Sequence, residues 1–116
     1  MKIFKKIITL YLVVLSIFGF TQMIGTATYY GNKFHGKRTA SGSIFSMHKF
    51  TCAASTKFKF GQLLEITNLK NGKKVIVKVT DRGGAIKHNK IDLSVAAFKA
   101  ISNLRTGMIK INIKPI

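Results

Sequence analysis

The feature that most constrains this chain is a pair of β-runs joined by Asn71-Gly72. Residues 63–69 and 74–81 are rich in valine, isoleucine, leucine and threonine. Asn-Gly between two such runs is a strong hairpin signal, because both residues tolerate positive φ angles. In the returning run the side chains alternate, so that three valines share one face with Asp81. The chain therefore contains an antiparallel pair whose apolar face needs a core.

Three further short β-runs flank this hairpin, namely residues 26–30, 50–54 and 108–114. The spacing also predicts one amphipathic helix at Val95–Ile101, with Asp92 or Ser94 as its N-cap. Residues 31–46 are rich in glycine, serine and basic side chains, and they are predicted to form a loop. Several short strands with one helix predict a mainly β fold, a small closed barrel that leaves no sheet edge exposed.

The N-terminus is predicted to be an export signal. Lysines among the first six residues precede an apolar stretch from Ile7 to Phe20, which is shorter than the roughly 20 residues of a membrane span. A positive head, a short apolar run and a polar exit are typical of a secretory signal peptide. We expect residues 1–22 to be this signal, with a retained membrane anchor or a buried core helix as alternatives. No cysteine directly follows the apolar stretch, so a lipid anchor is not expected. The barrel domain is expected at residues 25–114.

The charge of the chain restricts its partners. It has 20 Lys+Arg against 3 Asp+Glu, a formal net charge of +17. Such a charge attracts polyanionic partners within a distance of about one Debye length, which is roughly 8 Å at physiological salt. For an exported protein these would be wall polymers or anionic lipid surfaces of the cell envelope, and no nucleic acid is expected as a partner. The alternative is that the lysines only keep a small protein soluble.

Three carboxylic side chains, Glu65, Asp81 and Asp92, are available for chemistry. Glu65 lies mid-strand and is expected to be structural, and Asp92 lies where a carboxylate can cap a helix. Asp81 continues an apolar face beside Gly83-Gly84. Burial there would favour its protonated form next to a clear space, as a general acid requires. The alternative is a turn aspartate that only bonds nearby backbone. Two-carboxylate hydrolysis is disfavoured, because few pairs can be formed.

The other reactive side chains predict no further chemistry. Cys52 is the only cysteine and lies in an apolar run, so a buried and inert thiol is expected. His35, His48 and His88 lack the spacing of metal ligands, so neither a metal nor another cofactor is expected. No Gly-x-Ser-x-Gly motif is present to support a serine nucleophile.

Taken in order, several motifs resemble those of the rare lipoprotein A (RlpA) family. They are GTATYYG (25–31), FHGKRTASG (34–42), FG (60–61), ITNLKNGK (66–73), VTDRG (79–83) and IDLSVAA (91–97). The resemblance covers about residues 25–113, and the ordered set is far more specific than any single motif. It implies a six-stranded double-psi β-barrel, related to the barrels of expansins and barwin.

The resemblance also implies endolytic cleavage of peptidoglycan by a lytic transglycosylase. In that reaction an acid, which falls on Asp81, protonates the glycosidic oxygen between N-acetylmuramic acid and N-acetylglucosamine. The same group then acts as a base while the C6 hydroxyl of the sugar closes a 1,6-anhydro ring. Because no water attacks, one carboxylate can suffice. The alternative is a peptidoglycan-binding, expansin-like module that loosens the wall without cutting it.

Six residues are predicted to contact the glycan, namely His35, Lys37, Arg38, Ser43, Ser55 and Arg82. Ser43 stands where the family commonly has a glutamate. Ser55, or Ala54 if the loop differs by one residue, stands where the family commonly has a histidine. An exported protein of this kind is expected in the periplasm or cell envelope, with peptidoglycan as its partner and the membrane reached only through the N-terminal segment.

Overall fold

In the computed structural model, which describes residues 22–83 and 89–116, six strands close into a barrel. The strands are β1 (Met23–Tyr29), β2 (Thr51–Ala53), β3 (Leu63–Asn68), β4 (Lys74–Asp81), β5 (Lys90–Leu93) and β6 (Ile109–Pro115). One helix, α1 (Val95–Ile101), follows β5, and short 3₁₀ turns lie at Asn32–Phe34 and Leu104–Thr106. The predicted export signal and His88 lie outside the described residues, except for Gln22.

Around the barrel the strand order is β1-β5-β2-β4-β3-β6. Two neighbouring pairs, β1 with β5 and β2 with β4, are parallel, and the other four are antiparallel. The order confirms the predicted closed, six-stranded barrel. No helix in the described part of the chain is both long enough and apolar enough to cross a membrane.

The barrel closes because apolar side chains alternate along its strands. The three valines of β4 are buried, as their alternation in the sequence predicts, and so are the isoleucines of β6. Phe58 and Phe98 fill the core with them, each 2% exposed or less. The predicted hairpin turn is present, since Gly72 has a φ of +74° and its N–H donates to the Asn68 carbonyl oxygen at 2.8 Å. Alternation and turn chemistry therefore account for β3, β4 and β6.

Strand β5 was not predicted. It pairs in parallel with β1 and antiparallel with β2, so it completes the barrel. Ile91 and Leu93 are fully buried, whereas Asp92 between them is half-buried. Ser94 is the N-cap of α1, because its Oγ accepts from the Ala97 N–H at 3.2 Å. The prediction that Asp92 could cap the helix was wrong, since strand pairing places that residue before the cap.

A register shift in β4 changes the direction in which Asp81 points. Cys52 of β2 lies opposite Val79, but the next residue, Ala53, lies opposite Asp81, so Thr80 is an extra residue in β4. Such a shift re-aims the side chains that follow it. It moves Asp81 off the face of the valines and onto the outside of the barrel beside Ala53. The predicted position at the end of the apolar stripe was wrong for this reason.

A second, smaller apolar cluster lies outside the barrel. Tyr30, Phe45 and Ala53 are buried together, and Met47 packs against them. The rings of Tyr30 and Phe45 stack with their centroids 4.8 Å apart. This cluster fastens the loop of residues 31–46 onto the outer face of β2, in front of the region that Asp81 reaches.

Candidate active site

Four outward-facing residues form a row across four neighbouring strands. Thr28 of β1 lies opposite Asp92 of β5, Asp92 lies opposite Ala53 of β2, and Ala53 lies opposite Asp81 of β4. Neighbouring strands are about 4.8 Å apart, so the Cα atoms of the two aspartates are roughly 10 Å apart. We call this row of Thr28, Ala53, Asp81 and Asp92 the acidic wall.

Three donors hold the Asp81 carboxyl group. Oδ1 accepts from the backbone N–H of Arg82 at 2.8 Å and from that of Ala40 at 2.9 Å. Oδ2 accepts from the Tyr30 hydroxyl at 3.1 Å. The side chain is half-buried, so it keeps an open side. A carboxyl group fixed by donors on both oxygens has a defined direction, which general acid–base catalysis needs.

Tyr30 is a partner of Asp81 that the sequence analysis missed. Burial raises the pKa of its hydroxyl far above the usual value, and the charge of Asp81 and their hydrogen bond raise it further. The phenol therefore stays protonated and can donate its hydrogen bond to Asp81. Its position after β1, inside the GTATYYG motif, was the one available signal.

Asp92 is the second carboxyl group of the site. Its Oδ1 accepts from the Thr28 hydroxyl at 3.0 Å. Burial raises the pKa of the Asp92 carboxyl above its ordinary value, and the charge of Asp81 acts in the same direction. The Thr28 hydrogen bond and the charge of Lys90 lower it. Two aspartates that influence each other across one wall are a stronger constellation than the single carboxyl expected from the sequence.

A hydroxyl cluster supports the loop that reaches Asp81. The side-chain oxygens of Thr39, Ser41 and Ser43 lie 2.9 Å from one another. The backbone N–H of Ser41 donates to the Thr80 carbonyl oxygen at 3.1 Å, which ties the loop to β4. Between them, Ala40 is held where its N–H meets Asp81. Ser43, a predicted glycan contact, thus takes part in positioning this loop.

Two of the predicted basic contacts are engaged with the protein's own backbone. Arg38 donates to the Gly42 carbonyl oxygen at 2.7 Å, inside the same loop. Arg82 donates to the Phe58 carbonyl oxygen at 2.7 Å, and its guanidinium lies 4.1 Å from the centre of the Phe60 ring. Ser55 begins the turn that Arg82 braces, since its carbonyl oxygen accepts from the Phe58 N–H at 3.1 Å. The Arg82 side chain therefore stabilises the turn beside Asp81 as well as lying at the site.

His35 and Lys37 lie on the exposed side of the loop. Nδ1 of His35 accepts from the Met47 N–H at 3.1 Å, and its ring lies 5.4 Å from that of His48. Neither His35 nor Lys37 makes a direct hydrogen bond to Asp81. In residues 22–83 and 89–116, no three His, Cys, Asp or Glu side chains are grouped so that they could hold a metal ion.

Two side chains that were expected to be structural, Cys52 and Glu65, lie outside the acidic wall. Cys52 is a free, buried thiol, and burial raises its pKa to about 12, so it is not a thiolate at neutral pH. Glu65 lies on the opposite side of the barrel, with its Oε1 3.6 Å from Nζ of Lys74.

Comparison with known proteins places this architecture in a family. The family model described as lytic transglycolase matches residues 22–113. A protein of Aquifex aeolicus named probable endolytic peptidoglycan transglycosylase RlpA is 50% identical over 90 residues, which is 78% of this chain and 39% of that protein. The Pseudomonas aeruginosa protein named endolytic peptidoglycan transglycosylase RlpA is 41% identical over 95 residues, 82% of this chain and 28% of that protein. The chain thus spans well under half the length of these relatives.

Solved structures show the same fold. An expansin of Clavibacter michiganensis in complex with cellohexaose matches with a TM-score of 0.66 and 23% identity, over 83% of this chain and 50% of that one. The Streptomyces papain inhibitor matches with a TM-score of 0.66 and 24% identity, over 81% of this chain and 94% of that one. Together with the ordered motifs and the closed barrel, these matches show that the chain belongs to the lytic transglycolase family, with an RlpA-like double-psi β-barrel.

Proposed function

We propose that the acidic wall is the active site of an endolytic peptidoglycan transglycosylase in which Asp81 is the acid/base. The observation that supports this most is the placement of Asp81 itself. A register shift turns it out of the core, three donors fix its direction, and Asp92 lies in the same row. The names of the relatives and the family model supply the reaction class.

The proposed reaction uses one carboxyl group twice, first as an acid and then as a base. Protonated Asp81 gives its proton to the glycosidic oxygen, and the bond between that oxygen and C1 of the muramyl sugar breaks. The C6 hydroxyl oxygen of the same sugar bonds to C1, and its proton passes to the Asp81 carboxylate. The 1,6-anhydro ring closes, no water is consumed, and Asp81 ends protonated as it began.

Asp92 supports this cycle electrostatically. Because burial raises its pKa, it keeps its proton at a higher pH than an ordinary aspartate does. The charges of Asp92 and Asp81 act on each other, so a change in the protonation of one carboxyl group affects the other. The environments of two neighbouring carboxyl groups commonly assign them different roles in this way.

Exposed aromatic rings flank the acidic wall and offer surfaces for sugar rings. Phe34 is 41% exposed and meets the Tyr30 ring edge-on at 5.7 Å. Phe60 is 44% exposed and lies under the guanidinium of Arg82. Rigid apolar rings give large contact area at little conformational cost. His35, Lys37 and Arg38, which follow Phe34 in the loop of residues 31–46, are proposed to contact the glycan or its peptides.

The export signal at residues 1–22 and residence in the cell envelope belong to the same proposal.

The test is digestion of purified peptidoglycan sacculi. The full chain is expected to release fragments with 1,6-anhydromuramyl ends, detected by mass spectrometry. The variant Asp81→Asn keeps the shape of the side chain but cannot carry the proton, and it should release about 10²–10⁴-fold less. Glu65→Gln, which removes a carboxyl group from the other side of the barrel, is the matched control. Equal yields from Asp81→Asn and from the unaltered chain would refute the role of Asp81.

A second candidate function is glycan binding without cleavage. The observation that favours it is that the Asp81 carboxyl group accepts three hydrogen bonds from the surrounding protein, as a structural anchor does. In that case the full chain would sediment with sacculi but release no anhydro products. Asp81→Asn would then lower the melting temperature without changing what is released.

A further inference from the structure

The barrel has a second distinctive surface, on the side opposite the acidic wall. It consists of outward-facing residues on β4, β3, β6 and the start of β1. We call it the lysine wall, and its members are Ile24, Leu63, Lys74, Ile76, Lys78 and Lys114. Strand pairing makes it continuous, because Lys78 lies opposite Leu63 and both Ile76 and Lys114 lie opposite Glu65.

This surface is positively charged. Of the three carboxylic side chains in the sequence, two belong to the acidic wall, so Glu65 alone is near these lysines. Glu65 lies 3.6 Å from Lys74 and can offset one positive charge. Lys78 and Lys114 remain exposed on either side of β3.

The lysine wall also exposes large apolar side chains. Ile76 is 50% exposed, Ile24 46% and Leu63 43%. A soluble polyanion could pair with the lysines, but it would leave these three side chains in water. An anionic bilayer satisfies both groups, because lysine stems lie along an apolar surface while their ammonium groups reach the lipid phosphates. The combination therefore favours a lipid surface over a dissolved polymer.

Where the N-terminal segment is retained as a membrane anchor, which is the alternative to a removed export signal, the course of the chain agrees with this choice. The apolar stretch from Ile7 to Phe20 is followed almost directly by Met23, where β1 begins. Ile24, the first outward side chain of β1, is itself part of the lysine wall. The surface thus starts where the apolar stretch of the sequence leads into the barrel.

We propose that the lysine wall docks on an anionic phospholipid bilayer, with the acidic wall turned away from the lipid. Docking in this orientation holds the barrel at a membrane through a surface separate from the acidic wall. The proposal does not depend on the reaction proposed above, since it concerns the other side of the barrel.

The chain has no tryptophan, so a single introduced tryptophan reports on one surface. We would compare Ile76→Trp on the lysine wall with Ile44→Trp in the loop of residues 31–46, where Ile44 is 55% exposed. Both full-length variants carry the same N-terminus, so any anchoring by that segment is equal. The vesicles would contain phosphatidylcholine with or without phosphatidylglycerol, and lipids brominated on the acyl chains would serve as quenchers.

The tryptophan of Ile76→Trp is expected to shift its emission to shorter wavelength and to be quenched in vesicles with phosphatidylglycerol. That of Ile44→Trp should emit as in water in every case. Adding Lys78→Gln and Lys114→Gln to Ile76→Trp should reduce the quenching, and Leu63→Trp should repeat the result of Ile76→Trp. No quenching of Ile76→Trp, equal quenching of both reporters, or an emission shift that grows with protein concentration in buffer alone would overturn the proposal. The last outcome would show that a second copy covers the surface.

Discussion

The acidic wall and the lysine wall are built from the same alternating strands, yet they differ in every other respect. The acidic wall is partly covered by a loop, a small apolar cluster and a network of hydroxyl groups, and its charged groups are half-buried. The lysine wall is bare, and its long side chains point into solvent. A barrel needs only its inward-facing residues to close, so each outer wall is free to meet a different partner.

Of the effects expected from this difference between the two walls, the largest is a loss of turnover in the variant Asp92→Asn. If the two aspartates work together, the substitution should lower release of anhydro products about 10²-fold, close to the lower end for loss of an acid–base group. The reason is that an amide still accepts from Thr28 but cannot exchange a proton with its surroundings. Rates of product release from sacculi, measured at saturating protein, check this.

The control for Asp92→Asn is the double variant with Asp81→Asn. Groups that act as one unit are far from additive, so the double variant should be scarcely slower than Asp81→Asn alone. Independent losses that multiply, or full activity of Asp92→Asn, would mean that the wall contains one functional carboxyl group and one structural one.

The contrast between the walls also shows what the sequence could reveal. Local periodicity predicted the shared face of the β4 valines and the helix at Val95–Ile101. The motifs pointed to Asp81 through resemblance. The register shift at Thr80 and the pairing of β5 depend on contacts between strands far apart in the chain, so periodicity gave the wrong face for Asp81 and the wrong role for Asp92. The sequence Ile91-Asp92-Leu93, polar between two apolar residues, was the signal for a strand there.

The next largest effect is on stability, and the test compares a buried residue of the loop of residues 31–46 with an exposed residue of the lysine wall. Phe45→Ala removes a ring that is 5% exposed and stacked on Tyr30, so it should lower the free energy of unfolding by about 3 kcal/mol. Ile76→Ala, on a side chain that is half exposed, should change it by less than about 0.5–1 kcal/mol. Urea unfolding of both variants measures the difference. Equal losses would show that the loop of residues 31–46 is not anchored by its apolar cluster.

A smaller effect is expected on glycan binding when Phe60 is changed. Phe60→Ala removes the exposed ring beneath Arg82 and should weaken binding to sacculi about tenfold, which corresponds to roughly 1.4 kcal/mol. Met108→Ala, which shortens another exposed apolar side chain outside the acidic wall, is the matched control and should bind normally. Sedimentation of the protein with sacculi measures both. A loss shared equally by the two variants would mean that binding is not localised to the acidic wall.

The smallest expected effect is a pH dependence of the free energy of unfolding that is caused by the titration of Asp92. Burial raises its pKa in the folded chain, whereas an unfolded aspartate titrates near about 3.9. Above that pH the folded state holds a proton that the unfolded state has lost, so stability should fall as pH rises through the folded pKa and then level off. Asp92→Asn removes this titration. As pH rises from about 4, the melting temperature of Asp92→Asn should therefore fall less than that of the unaltered chain. At neutral pH the variant should have the higher melting temperature. Glu65→Gln, on the other side of the barrel, should keep the fall that Asp92 causes. If Asp92→Asn gains stability while it loses turnover, Asp92 is a residue kept for function although it destabilises the fold. If Asp92→Asn is less stable at every pH, the contact between Thr28 and Asp92 only stabilises the barrel.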